Sequence, residues 1–203
     1  MAAENTRSDR AQPAEREPLP VAVVIGSTRQ GRLGPTVAAW FVRQVNQRRD
    51  MKVDVIDLAA AKLPTTLPME ADAAIQAFTG RIAGTDAVVV VTPEYNHGYP
   101  ASLKLAIDYP RTEWQAKPVA FVSYGGMAGG LRAVEQLRQV FAELHTVTIR
   151  DTVSFHTVYD KFDDHGELID PDGHAAAAKV LLDQLAWWAE ALREARSTRP
   201  YVT

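Results

Sequence analysis

The feature that most constrains the fold is the run AVVVV at residues 87–91, which ends abruptly in the polar segment TPEYNHGYP at residues 92–100. The run has neither the helical period nor the in-out alternation of a half-exposed strand. It is therefore typical of a strand that is buried on both faces. Strands of this kind occur in parallel sheets covered by helices on both sides. The run thus predicts an α/β protein.

Four further apolar segments repeat this pattern, and helical patterns separate them. Parallel neighbours in a sheet need helical crossovers, so five strands interleaved with five helices predict an open parallel sheet. The other predicted strands cover residues 21–25, 52–58, 118–124 and 146–149. Five helices are predicted: one that begins near Pro35, one over residues 70–84, one that starts after Pro100, one that follows Gly130, and a last one. The last helix is expected to have Asp170 as its N-cap and Pro171 at its first helical position.

Composition excludes several classes of function for this chain of 203 residues. A formal net charge of −3 gives no polycationic signal for nucleic acid or for an anionic membrane. The lack of cysteine excludes disulfides and thiolate chemistry and fits a reducing cytoplasm, where we expect the protein to be. Residues 1–18 have no apolar core of a secretory signal, so we expect a flexible polar tail. Residues 19–203 are then a single domain.

Three glycine-containing turns follow predicted strands and should meet at one edge of the sheet. They are GSTRQGRLGP at residues 26–35, PEYNHGYP at residues 93–100 and SYGGMAGG at residues 123–130. In open α/β sheets, ligands bind beyond the carboxyl ends of the strands, where the strand order switches. We therefore expect the three turns to line one pocket.

The first turn has the properties of a phosphate site. Backbone N–H groups converge where a glycine-rich turn opens a helix, and Ser27, Thr28 and Thr36 add hydroxyl groups. Arg29 and Arg32 add guanidinium groups, which match phosphate oxygens. The P-loop pattern fails because Arg32 replaces its lysine, and the G-x-G-x-x-G dinucleotide fingerprint is missing. An NTPase and a tightly bound Rossmann-type NAD(P) are therefore not indicated.

The other two turns suit a flat heteroaromatic ring. Tyr95 offers an aromatic face and Asn96 offers donors and an acceptor. Gly125 and Gly126 have no Cβ, so their backbone amides can approach a ligand and stabilise negative charge on it. A phosphate site beside a ring site favours a mononucleotide with a planar ring system, and flavin mononucleotide (FMN) suits both.

The motifs GSTRQGR, PEYNHGYPASLKLAID and KPVAFVSYGGMAGG resemble the NADPH-dependent FMN reductase family of flavodoxin-like proteins, which includes quinone, azo-dye and chromate reductases. The resemblance covers residues 20–150 in the right order. It implies a flavodoxin-like three-layer α/β fold, with a five-stranded parallel sheet of order 2-1-3-4-5, helices on both faces and FMN at the switch point.

The resemblance also assigns roles to individual residues. It places the FMN phosphate at Ser27, Thr28, Arg29, Arg32, Gly34, Pro35 and Thr36. It places the isoalloxazine at Pro93, Glu94, Tyr95 and Asn96, with its pyrimidine edge at Ser123, Tyr124, Gly125 and Gly126. The candidates for substrate contact are His97, Tyr99 and Trp114. For His97 a solvent-exposed turn position is an equal alternative, and Trp114 is expected near a dimer interface that borders the flavin. No metal site is expected.

The implied activity is that of an oxidoreductase in which the cofactor carries the chemistry. Hydride would pass from NADPH to bound FMN, and electrons would pass on to a free flavin, a quinone or a similar small acceptor in a ping-pong cycle. No catalytic side chain is expected, and the backbone of Gly125 and Gly126 would stabilise the reduced flavin. The family implies a homodimer or tetramer. An electron carrier and a flavin-binding regulatory protein remain alternatives, although carriers tend to be more acidic than this chain.

Two further segments have structural interpretations. The stretch DKFDDHGELID at residues 160–170 does not satisfy the calcium-loop pattern, so a solvated turn or hairpin is expected. Trp187 and Trp188 are adjacent on the last helix and therefore differ by about 100° in direction. One of the two should face the core while the other points away from it.

Overall fold

A computed structural model of the protein describes residues 17–202, so all but the end of the predicted tail at residues 1–18 lies outside the described part. The described chain alternates strands and helices. In order, the elements are β1 (Leu19–Ile25), α1 (Gly34–Asn46), β2 (Met51–Asp57), α2 (Ala73–Ala83), β3 (Ala87–Pro93), α3 (Ala101–Asp108), β4 (Pro118–Tyr124), α4 (Leu131–Glu143), β5 (Val147–Phe155) and α5 (Asp172–Thr198). Short 3₁₀ turns occupy Thr112–Trp114 and Val158–Asp160.

The five strands form one parallel sheet in the order β2-β1-β3-β4-β5, which confirms the predicted order. The chain moves from β1 outward to β2, then returns to the other side of β1 to form β3. The switch point therefore lies between β1 and β3, where Ile25 pairs with Val91. Both strands end in a predicted ligand-binding turn, so the topology brings those turns together.

Helices cover both faces of the sheet, as the pattern of buried strands predicts. On one face, Val23 and Val89 lie in a core with α1 and α5. On the other face, Val24 and Val90 pack in a second core with α2, α3 and α4. Every residue of β3 is buried, because this strand has a neighbour on each side and a helical layer on each face. The sheet thus provides a rigid base for the loops at its carboxyl edge.

The fifth strand is longer than the predicted strand at residues 146–149, because β5 continues to Phe155. Its pairing with β4 contains an irregularity. Val119 is opposite Thr148 and Phe121 is opposite Thr152, so β5 advances four residues while β4 advances two. This bulge breaks the period of two that marks a strand in a sequence. The added residues carry β5 to the same edge of the sheet as the three turns.

The start of the last helix differs by a small shift from the prediction that Asp170 is its N-cap. Pro171 occupies the cap position, and its carbonyl accepts a hydrogen bond from the Ala175 amide at 2.7 Å. The side chain of the cap residue makes no capping bond because proline has no side-chain acceptor. The helix therefore begins at Asp172, and the prediction for Asp170 is wrong.

The segment after β5 forms the predicted hairpin. Phe162 and Leu168 are bridged in antiparallel fashion. Between them, the carboxylate of Asp163 accepts hydrogen bonds from the amides of His165 and Glu167 at 2.9 and 2.8 Å. The Asp163 carboxylate therefore organises a turn in the backbone.

The two adjacent tryptophans of α5 lie as predicted. Trp187 is 64% exposed, whereas Trp188 is half-buried against the core that α5 shares with α1. Despite its 27 residues, α5 is not apolar enough to cross a membrane, and the same is true of every other helix within residues 17–202.

Candidate functional site

A cavity of about 550 Å³ opens at the carboxyl edge of the sheet, at the switch point. Its walls come from the loops that follow β1, β3, β4 and β5. The lining residues are Arg29, Gln30, Gly31, Arg32, Leu33, Pro93, Glu94, Tyr95, Asn96, Tyr124, Gly125, Gly126, Val158 and Tyr159. Its volume is typical of sites that bind cofactors and other small molecules.

The loop between β1 and α1 is held in place by Ser27. The Ser27 side chain is fully buried, and its hydroxyl oxygen accepts a 3.0 Å hydrogen bond from the Tyr124 hydroxyl. Burial raises the pKa of Tyr124, so this phenol stays protonated and can donate. A Cβ at Gly34 would lie 2.5 Å from the Ser27 hydroxyl oxygen and 2.9 Å from that of Tyr124. Only glycine leaves room there for the Ser27–Tyr124 bond.

The two arginines of this loop differ in whether their guanidinium groups are paired with a carboxylate. Arg32 makes a two-pronged ion pair with Asp57, at 2.7 and 2.6 Å. That hydrogen bonding raises the pKa of Arg32 and lowers the pKa of Asp57. Arg29 is exposed at the cavity and makes no ion pair or hydrogen bond within residues 17–202. Arg29 is therefore the guanidinium of this loop that is available to an anionic ligand.

The turn after β3 is a tight hairpin from Tyr95 to Gly98. Tyr95 and Gly98 exchange backbone hydrogen bonds of 2.8 and 3.1 Å, and both residues between them are left-handed, with φ of 50° at Asn96 and 69° at His97. Two consecutive positive φ values in non-glycine residues cost free energy, and such backbone strain clusters at functional sites. The Gln136 side chain secures the turn by donating to the His97 carbonyl at 2.8 Å.

Glu94, which also lines the cavity, is tied to the start of α4. Its carboxylate accepts a hydrogen bond from the Arg132 amide at 3.2 Å and pairs with the Arg132 guanidinium at 2.8 Å. A carboxylate at a helix N-terminus is favoured by the helix dipole. The negative charge of Glu94 is thus compensated, which leaves a cavity that can accept an anion.

The turn after β4 is held through its carbonyl groups by the residues that follow β5. The carbonyls of Gly125 and Gly126 accept hydrogen bonds from Val158 and Thr157 at 2.9 and 2.8 Å. In a trans peptide, the N–H of the following residue points in the direction opposite to the carbonyl of the same peptide group. The amides of Gly126 and Met127 therefore point away from those donors, and neither has an acceptor within residues 17–202. The Gly125 amide, in contrast, donates to the Phe155 carbonyl at 3.2 Å, so the prediction that it stabilises a ligand is wrong.

The structure brings most of the predicted cofactor residues to this cavity. Those that line it are Arg29, Arg32, Pro93, Glu94, Tyr95, Asn96, Tyr124, Gly125 and Gly126. Ser27, Gly34 and Ser123 are buried beneath it, and the Ser123 hydroxyl donates to the Gly129 carbonyl at 2.8 Å. Thr28 is exposed on the same loop but lines a neighbouring cleft, while Pro35 and Thr36 lie in the first turn of α1.

Trp114 requires a correction. Its ring is 1% exposed and packs edge-on against Phe141, and its indole N–H donates to the Ile107 carbonyl at 3.0 Å. The residue is part of the core under α4, so it is not available to substrate. Tyr99 is half-buried against the same core and does not line the cavity either. His97 is exposed on the turn beside Asn96.

Five residues of the cavity are not among the predicted site residues: Gln30, Gly31, Leu33, Val158 and Tyr159. Gln30 and Gly31 lie within the first predicted turn, between the two arginines. Val158 and Tyr159 follow β5, and they reach the cavity because that strand extends to Phe155. Recognising the strand period on both sides of the bulge would have placed a fourth loop at this edge.

The residues present fit FMN. Arg29, which is unpaired within the described residues, offers a positive charge to a phosphate, and Tyr95 offers an aromatic side chain to the same cavity. At Gly126 an added Cβ would meet no atom within 4 Å, so the backbone there faces open space that a ring can fill. The fit therefore rests on charge, on an aromatic wall and on accessible amides.

The sheet order and a ligand cavity at the switch point define a flavodoxin-like α/β protein. The family model described as NADPH-dependent FMN reductase matches residues 19–160. The chain therefore belongs to the NADPH-dependent FMN reductase family, a family of oxidoreductases whose name specifies FMN and NADPH.

Individual proteins agree with this assignment. A Schizosaccharomyces pombe protein named NAD(P)H-dependent FMN reductase is 42% identical over 129 residues, which are 59% of this chain and 64% of that protein. A rice protein named probable NADPH:quinone oxidoreductase 2 is 31% identical over 181 residues, covering 83% of this chain and 88% of its own. The structure of FerB, a flavoenzyme NAD(P)H:(acceptor) oxidoreductase from Paracoccus denitrificans, shares the fold with a TM-score of 0.68 and 24% identity, covering 85% of this chain and 98% of FerB.

Proposed function

We propose that this protein is an FMN-dependent NAD(P)H oxidoreductase that reduces a small acceptor such as a quinone or a free flavin. The observation that carries the proposal is the cavity at the switch point. It brings together the guanidinium of Arg29, which has no ion-pair partner in the described part of the chain, with Tyr95 and Gly126 on two other loops. This combination suits a ligand with a phosphate at one end and a flat ring at the other.

In this proposal Arg29 binds the phosphate, together with backbone amides of the loop that opens α1. Tyr95 and Asn96 orient the ring, because their hairpin is fixed by two backbone bonds and by the Gln136 side chain. The Gly126 amide, which has no acceptor within residues 17–202 and belongs to the cavity wall, favours negative charge at a ring edge next to it. Bound FMN supplies the chemistry, which is to accept hydride from a nicotinamide and give electrons to the acceptor.

Arg29 and the Tyr95 hairpin lie on different loops, and both line the cavity. A nicotinamide and an acceptor that use the same face of the ring must bind one after the other. We therefore propose a ping-pong mechanism, for which double-reciprocal plots at several acceptor concentrations should be parallel. Intersecting lines would show that both substrates bind together.

His97, exposed on the hairpin, is proposed to contact the acceptor, so H97A should raise KM for acceptor more than KM for NADPH.

The visible absorption spectrum of the purified protein is the direct test. We expect flavin bands, either as purified or after titration with FMN, and rapid loss of those bands when NADPH is added without air. Flavin bands that persist with NADPH would instead favour an electron carrier or a regulatory flavoprotein. A protein that fails to bind FMN after titration would contradict the proposal.

Two further properties are proposed from the family. We propose that the protein is a homodimer or tetramer, which size-exclusion chromatography with light scattering tests. We also propose a cytoplasmic location, which fits a chain without cysteine. Cell fractionation with an antibody against the protein tests the location.

A further inference from the structure

The ion pair between Arg32 and Asp57 connects the loop that is proposed to hold the FMN phosphate to the end of β2. We propose that Asp57 is a positioning residue which, through Arg32, fixes the backbone of this loop and so sets the preference for FMN over riboflavin. This inference rests on the proposed function, and it assigns Arg32 to support of the loop while Arg29 contacts the phosphate.

One guanidinium group makes hydrogen bonds both within the loop and to the end of β2. Nη1 of Arg32 donates to the Ser27 carbonyl at 2.6 Å and to Oδ1 of Asp57 at 2.7 Å. Nη2 donates to Oδ2 of Asp57 at 2.6 Å. The Arg32 side chain is only 15% exposed, so these bonds are partly shielded from water. A two-pronged bond of this kind fixes orientation as well as distance.

Asp57 is itself anchored to the sheet. It is the last residue of β2 and pairs with Ile25 of β1, and its Oδ1 also accepts the Ala59 amide at 3.0 Å. The carboxylate therefore has a fixed position before it meets Arg32. Arg32 in turn donates to the Ser27 carbonyl. The end of β2 therefore fixes the position of the first turn through Asp57 and Arg32.

The charge of Asp57 allows its positioning role to be separated from simple electrostatics. A carboxylate close to a phosphate site repels the phosphate. If charge alone mattered, D57N would remove this repulsion, free Arg32 for the ligand and tighten FMN binding. If Asp57 positions the loop, D57N must weaken FMN binding although it removes a negative charge. The two explanations therefore predict changes of opposite sign.

The experiment measures the Kd of FMN and of riboflavin, by flavin fluorescence, for the purified full-length protein stripped of flavin. Riboflavin has no phosphate, so it reports on the ring site and on folding. We expect D57N to raise the Kd of FMN by about tenfold or more, as expected for a lost bond between charged groups, and to change the Kd of riboflavin by less than about twofold.

Asp54 supplies the matched control. It lies on the same strand and forms a two-pronged pair with Arg81 at 2.9 and 2.5 Å, but neither residue lines the cavity. D54N also removes one negative charge from β2. It should therefore leave both Kd values within about twofold of the wild type, since the pair is remote from the loop.

Further variants test the route through Arg32. R32Q should weaken FMN binding as D57N does. The double variant should bind FMN no more weakly than either single variant, since the two residues act as one unit. R32K keeps the positive charge but loses the two-pronged geometry of the guanidinium, so it should also weaken FMN binding.

Tighter or unchanged FMN binding in D57N, with riboflavin binding retained, would overturn the inference while the proposed function stands. If D57N loses riboflavin binding too, the FMN affinity of R32K becomes the test of the inference. An R32K protein that binds FMN as tightly as the wild type would overturn it. Wild-type protein that binds neither flavin would overturn both proposals.

Discussion

Gly34 provides a sharp test of how the site is built. Its missing side chain makes room for the hydrogen bond between Ser27 and Tyr124, which joins the loop after β1 to the end of β4. A methyl group at Gly34 would lie 2.5 Å from the Ser27 hydroxyl oxygen, 2.9 Å from Cγ2 of Ile25 and 2.9 Å from the Tyr124 hydroxyl oxygen. Contacts this short require the neighbours to move, and two of them belong to sheet strands. We therefore expect G34A to destabilise the folded protein.

The size of the effect follows from three contributions. Forcing a methyl group into a packed site costs about 1–3 kcal/mol. Separating the buried Ser27 and Tyr124 hydroxyls costs about 1–3 kcal/mol more. Since Gly34 is the first residue of α1, the better helix propensity of alanine returns at most about 1 kcal/mol. The net loss is about 3 kcal/mol, which lowers Tm by roughly 6–12 °C in a chain of this size.

The assay is urea and thermal unfolding of flavin-free protein, with G126A as the matched control. At Gly126 an added Cβ would meet no atom within 4 Å. G126A should therefore keep the unfolding free energy within about 0.5 kcal/mol of the wild type. It should nevertheless weaken FMN binding, because the methyl group enters space proposed for the ring. A G34A protein that melts within about 2 °C of the wild type would refute the close packing argued for Ser27 and Tyr124.

Three further predictions test other parts of the structure. W114A should lower the unfolding free energy by about 3–5 kcal/mol in urea titrations, whereas W114F should leave the KM for acceptor unchanged because the ring is in the core. E94A should cost about 1 kcal/mol by removing the carboxylate that accepts the Arg132 amide at the start of α4, whereas an unfolding curve equal to wild type would contradict this capping role. Burial lowers the pKa of Lys117 from 10.5 to about 8, so the unfolded chain binds more protons than the folded chain between these values. The unfolding free energy of the wild type, relative to K117M, should therefore rise with pH from about 8 to 10.5, by up to about 3 kcal/mol, and a flat difference would contradict the burial of this amine.

The sequence predicts the central part of the fold because its strands are buried on both faces. The run at residues 87–91 is short and consists almost entirely of β-branched valines, which favours a strand over a helix, and β3 is indeed buried throughout. The end of β5 was not predicted because a bulge interrupts its period near Arg150, whose side chain is 89% exposed. That omission concealed Val158 and Tyr159 of the cavity.

Within the site, the sequence predicts which loops meet but does not predict which groups are already paired. Both arginines of the first turn look equally available in the sequence. The structure pairs Arg32 with Asp57, which is 25 residues away and lies on a different strand. The Gly125 amide is likewise used by Phe155, at a distance along the chain that local patterns do not report. Pairing of this kind depends on register between strands, which periodicity alone leaves open.

The glycines of the three turns perform two opposite tasks, and this division explains how a rigid sheet carries an open site. Gly34 and Gly130 are surrounded by other atoms. A Cβ at Gly130 would lie 2.7 Å from that of Ser123, so both glycines allow loops to pack closely against the strand ends. Gly31 and Gly126, in contrast, would place a Cβ in empty space, and both line the cavity. Close packing behind the loops fixes the backbone, and the absence of side chains in front leaves that fixed backbone accessible. A ligand then meets amides that need little reorganisation, which is the condition under which backbone donors bind negative charge well.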